Sequence, residues 1–301
     1  MANKRIDDAT GTETVGHEWD GIEELNTPLP RWWLWLFYMT IVFAIGYVIA
    51  YPAIPMVHSA TKGVLGWSSR GQLAKEMQEA DAARAGVRQQ ISALDIQQLS
   101  ENPTLMSQAV AGGHAAFLVN CVQCHGSGAA GSEGYPNLND DDWLWGGSLP
   151  AIEQTLQHGI RQPGDSATRN SQMPAFGDIL DNQQVSQVAD YVLSLSGKAT
   201  ASAEGAELFA NNCSVCHGPD GHGLRQFGAP NLADAIWLYG SSKQQIMSQI
   251  RHPRNGVMPA WQGRLDPVTI KMLAAYVHSL GGGEDFAQVA DAPAEQVDEQ
   301  P

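Results

Sequence analysis

The sequence predicts a mainly α-helical chain: one apolar helix near the N-terminus, then two copies of a small helical module. Three observations carry this. Residues 32–51 run for 20 positions without a charge. From about residue 105 the chain repeats itself at nearly constant offset. Each repeat holds one Cys-x-x-Cys-His pentapeptide, and the two together use all four cysteines of the 301 residues. Composition agrees with a folded chain: 43% of residues are hydrophobic and 16% charged, against about 25% charged in an average protein. With 31 Gly and 16 Pro, much of the fold must be loop. The 17 basic and 32 acidic residues leave a net charge of −15. That gives no basic surface to replace phosphate counterions, which excludes nucleic acid as a partner, and it suits docking of a basic or dipolar protein.

Residues 1–31 are polar and acidic. The segment 32–51, WWLWLFYMTIVFAIGYVIAY, follows. At about 1.5 Å per residue, 20 helical residues reach roughly 30 Å, the thickness of the bilayer hydrocarbon. Trp32, Trp33 and Trp35 crowd one end and Tyr47 and Tyr51 the other, as amphipathic rings do at headgroup level. A cleaved signal peptide would be shorter and start earlier. A buried soluble helix rarely stays apolar on every face for so long. The segment is therefore expected to be an uncleaved transmembrane helix. Lys4, Arg5 and Arg31 before it nearly balance Lys62 and Arg70 after it, so flanking charge alone does not orient it. Residues 52–104 form a helical linker. Within it, Leu73, Met77, Ala80, Val87, Ile91 and Leu94 mark an apolar stripe on a helix over 70–94, expected to pack on its neighbours rather than rest on a partner or membrane.

The repeats define two related domains, 105–197 and 200–283. Gly113, Phe117, Asn120, Cys121, Cys124 and His125 recur 92 residues later as Gly205, Phe209, Asn212, Cys213, Cys216 and His217. Pro136-Asn137-Leu138, Trp143 and Gly146 recur at an offset of 94 as Pro230-Asn231-Leu232, Trp237 and Gly240. Met173-Pro174-Ala175 and Tyr191 recur at 85 as Met258-Pro259-Ala260 and Tyr276. The tail 284–301 holds six acidic residues and no basic one, a composition expected to be disordered.

Cys-x-x-Cys-His is the attachment signature of c-type haem. Cys121, Cys124, Cys213 and Cys216 supply thiols for two thioether bonds per haem, and His125 and His217 a neutral imidazole for the iron. A shared zinc site would want its Cys pairs about 15–20 residues apart, far closer than these. A redox dithiol would not need a histidine in both copies. Two covalently bound haem c groups are the expected cofactors. For the sixth ligand the repeated Met-Pro pairs stand out. Thioether sulfur from Met173 and Met258 would raise the potential, the electron-transfer arrangement, and proline would stiffen each presenting loop. Met106, His114 and His158 compete in the first repeat, and His222, Met247, His252 and Met272 in the second, but none sits at a repeated position. Sequence order leaves open whether each methionine serves the haem of its own repeat.

Residues 105–283 resemble class I cytochromes c. The resemblance implies that Pro136 and Pro230 offer carbonyls to the ligand histidines, although plain turn prolines would look the same. It also implies that Gly113 and Phe117, Tyr191 and Tyr276 build the crossing of first and last helices. Trp143 and Trp237 could meet a haem edge or propionate, or fill core. The stretch from Gly16-His17-Glu18-Trp19 to Thr27-Pro28-Leu29-Pro30-Arg31-Trp32-Trp33, then the anchor, then two such domains, resembles the dihaem subunit (FixP/CcoP type) of cbb3-type cytochrome c oxidases. The implied fold is one transmembrane helix followed by two tandem class I cytochrome c domains. The implied function is transfer of electrons from a donor cytochrome c, through both haems and a monohaem subunit, to the catalytic subunit, in aerobic respiration coupled to proton transport. The chain would be an electron-transfer subunit without an oxygen-reducing centre. It would lie in the bacterial inner membrane as a single-pass protein, with residues 1–31 cytoplasmic and the haem domains periplasmic. The alternatives are a free-standing anchored dihaem carrier or a subunit of another respiratory complex, and a haem peroxidase, which would need an open iron position.

Overall fold

The structure is a computed structural model and describes residues 4–284. The acidic tail therefore lies, Glu284 apart, outside the described residues. The chain divides into two compact units, Met1–Ala83 and Arg84–Pro301.

The first unit opens with a hairpin of β1 (Thr14–Trp19) and β2 (Ile22–Leu25). Asp20 and Gly21 at its tip take φ of 48° and 87°, the left-handed pair that a tight hairpin turn requires. Its polar, acidic composition masks these two strands. Helix α1 (Arg31–Ala50) follows Pro30 and matches the expected span to within one residue at each end. None of its residues is buried, as suits a helix whose partner is lipid or another chain. After Tyr51 the chain folds back on the helix end: Val64 and Leu65 donate to the carbonyls of Ile49 and Ala50, and Trp67 meets Tyr51 edge-on at 5.7 Å.

Helix α2 (Ser69–Ala93) carries the apolar stripe, and only its second half packs. Leu73 and Met77 are exposed, whereas Ile91 is fully buried with Leu99, Leu105, Ala109, Met272 and Ala275. Next come α3 (Ile96–Ser100), α4 (Pro103–Asn120), α5 (Val122–His125), α6 (Leu149–His158) and α7 (Asn182–Leu195). The second repeat gives α8 (Ala203–Asn212), α9 (Ser214–His217), α10 (Lys243–Arg251) and α11 (Pro267–His278). Their starts follow local chemistry. Asp181 with Gln184, and Ser242 with Gln245, form capping boxes at α7 and α10. Asn102 and Asp266 cap α4 and α11, each followed by a proline at the first helical position.

The packing of these helices departs from two consecutive self-contained repeats. Helices α4 and α6 of the first repeat pack on α11 of the second, around Phe117, Leu149, Ile152, Leu156, Ile270 and Leu273. Helices α8 and α10 of the second repeat pack on α7 of the first, around Phe209, Ile246, Ile250, Val185 and Val188. The helix crossing expected within each repeat therefore forms between them. Phe117 meets Tyr276 at 5.2 Å and Tyr191 meets Phe209 at 4.8 Å, so both aromatic contacts join one repeat to the other. Gly113 makes the first crossing possible, because a Cβ there would overlap the Met272 carbonyl; a Cβ on Gly205 would fall 2.6 Å from the Gln187 carbonyl oxygen. The exchange is physically open because the loops before α7 and α11 lie side by side. Ile160 and Met258 exchange backbone hydrogen bonds of 3.0 Å, and the Phe176 amide donates to Ile250. Gly159, at φ 67°, allows that approach, since a side chain there would overlap the Met258 carbonyl.

Candidate haem centres

Each Cys-x-x-Cys-His motif is built the same way. Cys121 ends α4 and begins the single turn α5, and Cys213 does the same between α8 and α9. One helical turn brings each pair of sulfurs to one edge and sets the histidine beyond them. Gly126 and Gly218, both at φ 77°, then reverse the chain. The loop that follows closes on the histidine: the Gly131 amide donates to the His125 carbonyl at 2.9 Å, and Gly223 to His217 at 2.8 Å. This brings the Pro136 carbonyl 3.1 Å from His125 Nδ1 and the Pro230 carbonyl 3.2 Å from His217 Nδ1. A carbonyl only accepts, so Nδ1 carries the hydrogen and Nε2 keeps its lone pair. Burial lowers the pKa of both histidines, so the imidazoles are neutral, the form that ligates a metal. The prolines thus do more than turn the chain.

The thiols are the opposite of a reactive dithiol. Burial, with a smaller contribution from the neighbouring cysteine, pushes Cys121 and Cys213 up to about 11, whereas nucleophilic cysteines have lowered values. All four are free, and no cluster of three or more His, Cys, Asp or Glu among the described residues could hold a bare metal ion.

The exchange of helices decides where the methionines go. Met258 packs on the cluster that contains Cys121, Phe117 and Leu149. Met173 packs on the cluster bordered by Cys213 and Trp237. It lines a cavity of about 420 Å³ together with Cys213, Cys216 and His217. Each motif is brought together with the methionine of the other repeat.

The competing residues differ in their surroundings. His158 faces Asp165 at 3.1 Å, His114 stacks on Tyr276 and His222 faces Asp220. Met272 is buried against Gly112, whereas Met106 packs on the same cluster as Met258 and Met247 on the same cluster as Met173. Neither Met247 nor His252 lines the cavity.

The site fits a c-type haem on grounds other than its ligands. Trp237 lines the cavity, and its indole N–H is buried without a protein acceptor. Such a donor fits a group with carboxylates at its edge. Its repeat partner Trp143 differs, donating 2.5 Å to the Gly282 carbonyl. Trp145, not singled out by the sequence reading, is the second buried indole without an acceptor, under the Arg169 guanidinium at 5.4 Å. The signal that could have found it is the repeat: Tyr239, which stands 94 positions on, lies under Arg254 at 4.3 Å.

Fold and site together define a c-type cytochrome with two cytochrome c domains and a membrane-anchor helix. Residues 11–58 match the N-terminal domain of the cbb3 cytochrome oxidase protein FixP, residues 110–196 match cytochrome c, and residues 200–277 match subunit III of the cbb3-type cytochrome c oxidase. The cbb3-type cytochrome c oxidase subunit FixP of Sinorhizobium medicae is 54% identical, over 94% of this chain and 99% of its own length. Subunit CcoP of Cereibacter sphaeroides is 52% identical over 90% and 95%, and FixP of Bradyrhizobium diazoefficiens 50% over 94% and 99%. The chain belongs to the FixP/CcoP family of cbb3-type cytochrome c oxidase subunits. It is an electron-transfer subunit of that oxidase, a membrane-bound complex with catalytic and further subunits, and not a free-standing carrier.

Proposed function

We propose that the chain binds two haem c groups covalently and ligates them crosswise. His125 and Met258 serve the haem at Cys121 and Cys124; His217 and Met173 serve the haem at Cys213 and Cys216. The observation that carries this is the exchange, which seats each methionine against the attachment motif of the other repeat. Bound there, the haem irons supply two one-electron couples. The protein's part is to hold and tune them. Cys121 with Cys124, and Cys213 with Cys216, would each hold one haem by two thioethers, every thiol adding its sulfur and hydrogen across one vinyl group. The Pro136 and Pro230 carbonyls fix the imidazoles and raise their basicity. Methionine loops present thioether sulfur, which favours ferrous iron. Trp237, whose buried indole N–H has no protein acceptor, would donate to a haem propionate.

Electrons enter from a donor cytochrome c, attracted by the excess of acidic over basic residues in the chain beyond residue 31. They leave through a monohaem subunit to the catalytic subunit, where oxygen reduction drives proton transport. Haem attachment of this kind takes place outside the bacterial inner membrane, so residues 1–31 are cytoplasmic and the haem domains periplasmic. A reporter that works only in the cytoplasm, fused after Pro301, should be silent; activity would reverse the topology.

The ligand assignment is tested with one haem at a time. The double variant Cys213→Ala/Cys216→Ala should hold only the first haem. In it, Met258→Ala should abolish the weak far-red absorption of methionine-bound ferric haem, and Met173→Ala should leave it. The reverse outcome would restore ligation within each repeat.

A further inference from the structure

Arg161 is bonded to both methionine loops at once. It follows α6 in a left-handed conformation, φ 52°, which is uncommon for a residue with a side chain. Its Nε donates 2.6 Å to the carbonyl of Gly256, two residues before Met258. Its Nη1 donates 2.9 Å to the carbonyl of Ser171, two residues before Met173. Its backbone amide donates 2.9 Å to Arg169, and its neighbour Ile160 is paired with Met258. The side chain also lines the cavity at His217 and Met173.

Two features set this arginine apart from a structural clamp that repeats with the fold. Arg251 stands at the corresponding place in the second repeat, Ile250-Arg251-His252-Pro253 against Ile160-Arg161-Gln162-Pro163. Its guanidinium turns instead to the Asn182 side chain at 2.8 Å, and it is its backbone that lies against Gly177 after the Met173 loop. Arg161 is also half-buried without a carboxylate at ion-pair distance among the described residues, its electrostatic neighbour being Tyr239. Two of its five donors are taken by carbonyls. A half-buried cation without a protein counterion is costly, and the loops it joins are those that bear both candidate iron ligands.

We propose that Arg161 is a positioning residue shared by the two haem centres, fixing both methionine loops and placing one positive charge beside both. This rests on the assignment of Met258 and Met173 as ligands. Two consequences follow. Reduction removes a positive charge from an iron, so a nearby cation favours the ferrous form and raises both potentials. A planar fork that spans two carbonyls cannot be replaced by a lysine ammonium, so the loops loosen in Arg161→Lys although the charge remains.

The test uses full-length, haem-loaded protein in detergent carrying Arg161→Gln, Arg161→Lys or, as a control, Arg251→Gln. Both midpoints are read by redox titration, and methionine ligation by the far-red band during heating. Arg161→Gln should lower both midpoints together and weaken the band at both haems at lower temperature. Arg161→Lys should recover part of the midpoint shift but not the thermal resistance of the band. Arg251→Gln should resemble the unaltered protein. A shift at one haem only, or unchanged midpoints and band, would overturn the inference. Should Arg161→Gln fail to fold, Arg161→Lys decides alone: a band of undiminished thermal resistance sinks the proposal. Met173→Ala and Met258→Ala separate the two levels. If each removes one haem's share of the band while the Arg161 variants change nothing, the shared role falls and the ligand assignment stands. If neither touches the band, both fall.

Discussion

The exchange of helices between the repeats can be measured as a coupling energy. In the structure Phe117 has 0% exposure and its ring lies 5.2 Å from that of Tyr276, tilted by 58°. An aromatic pair in such a geometry contributes about 0.5–1.5 kcal/mol beyond the area it buries. Truncating a buried Phe to Ala costs about 3–5 kcal/mol, enough to unfold a marginal protein. Replacement by Leu keeps a buried aliphatic group, and the single cost should fall to roughly 1–3 kcal/mol. The perturbations are therefore Phe117→Leu, Tyr276→Leu and Tyr191→Leu, singly and in pairs, in detergent-solubilised full-length protein. Denaturant unfolding is followed by haem absorption. Phe117→Leu with Tyr276→Leu should fall short of additivity by roughly 0.5–1.5 kcal/mol, as neighbours do, whereas Phe117→Leu with Tyr191→Leu should add within about 0.5 kcal/mol, as separated sites do. Non-additivity between Phe117 and Tyr191, with additivity between Phe117 and Tyr276, would refute the exchange and restore two self-contained repeats.

Three further outcomes are expected. The intact mass should exceed that of the polypeptide by two haems, the haem stain should survive a denaturing gel, and acidic organic solvent should extract none. Asp142 is pushed up to about 6 by burial first and then by Asp234, Asp140 and Asp141, with Arg225 opposing. Its protonated form is favoured in the fold, so its contribution to stability is full below its unfolded pKa of about 3.9 and is lost as pH rises through about 6; Asp142→Asn should flatten that part of the pH–stability curve and stabilise the protein at pH 7.5, and an unchanged curve would contradict this. Membranes lacking this chain should lose oxidation of donor cytochrome c and still consume oxygen with small artificial donors, and unimpaired cytochrome oxidation would remove it from the electron path.

The sequence exposed those parts of the molecule whose physics is local. The span of α1 follows from length and apolarity, and the motif turns follow from Cys121 to His125 and Cys213 to His217. The Pro136 and Pro230 acceptors came from resemblance and are met at hydrogen-bond distance. The hairpin at Asp20-Gly21 was legible too, since Asp-Gly between paired strands is a strong turn signal, but the acidic composition around it masked the strands. The exchange was not legible. Tyr191 and Tyr276 occupy equivalent positions, and Gly113 and Gly205 offer equivalent close contacts, so either pairing satisfies every local preference. What separates them is which loop runs beside which, fixed by long-range contacts such as Ile160 with Met258. Arg161 escaped for a related reason: its spacing carries no motif, and its role exists only once two distant loops meet.

The exchange also bears on why two cytochrome c domains stand on one chain. Tandem domains joined only by residues 198–199 would be free to reorient, and electron transfer falls steeply with distance between the groups. Here each half of the relay holds parts of both repeats. Cutting the chain between α7 and α8 would leave α7 packed on α8 and α10, and α11 packed on α4 and α6. The Met258–Ile160 pair, the Phe176–Ile250 bond and the two bonds from Arg161 tie the ligand loops across the same seam. A relay must keep its redox groups at constant separation while a donor docks and leaves. The proposed crossed ligation would meet that need without a large interface between separate domains, because relative movement of the halves would have to pull a methionine from its own core. The same construction ties the two centres thermodynamically. Loosening one methionine loop strains the other through the hydrogen bonds they share, so a perturbation at either repeat should be felt at both haems.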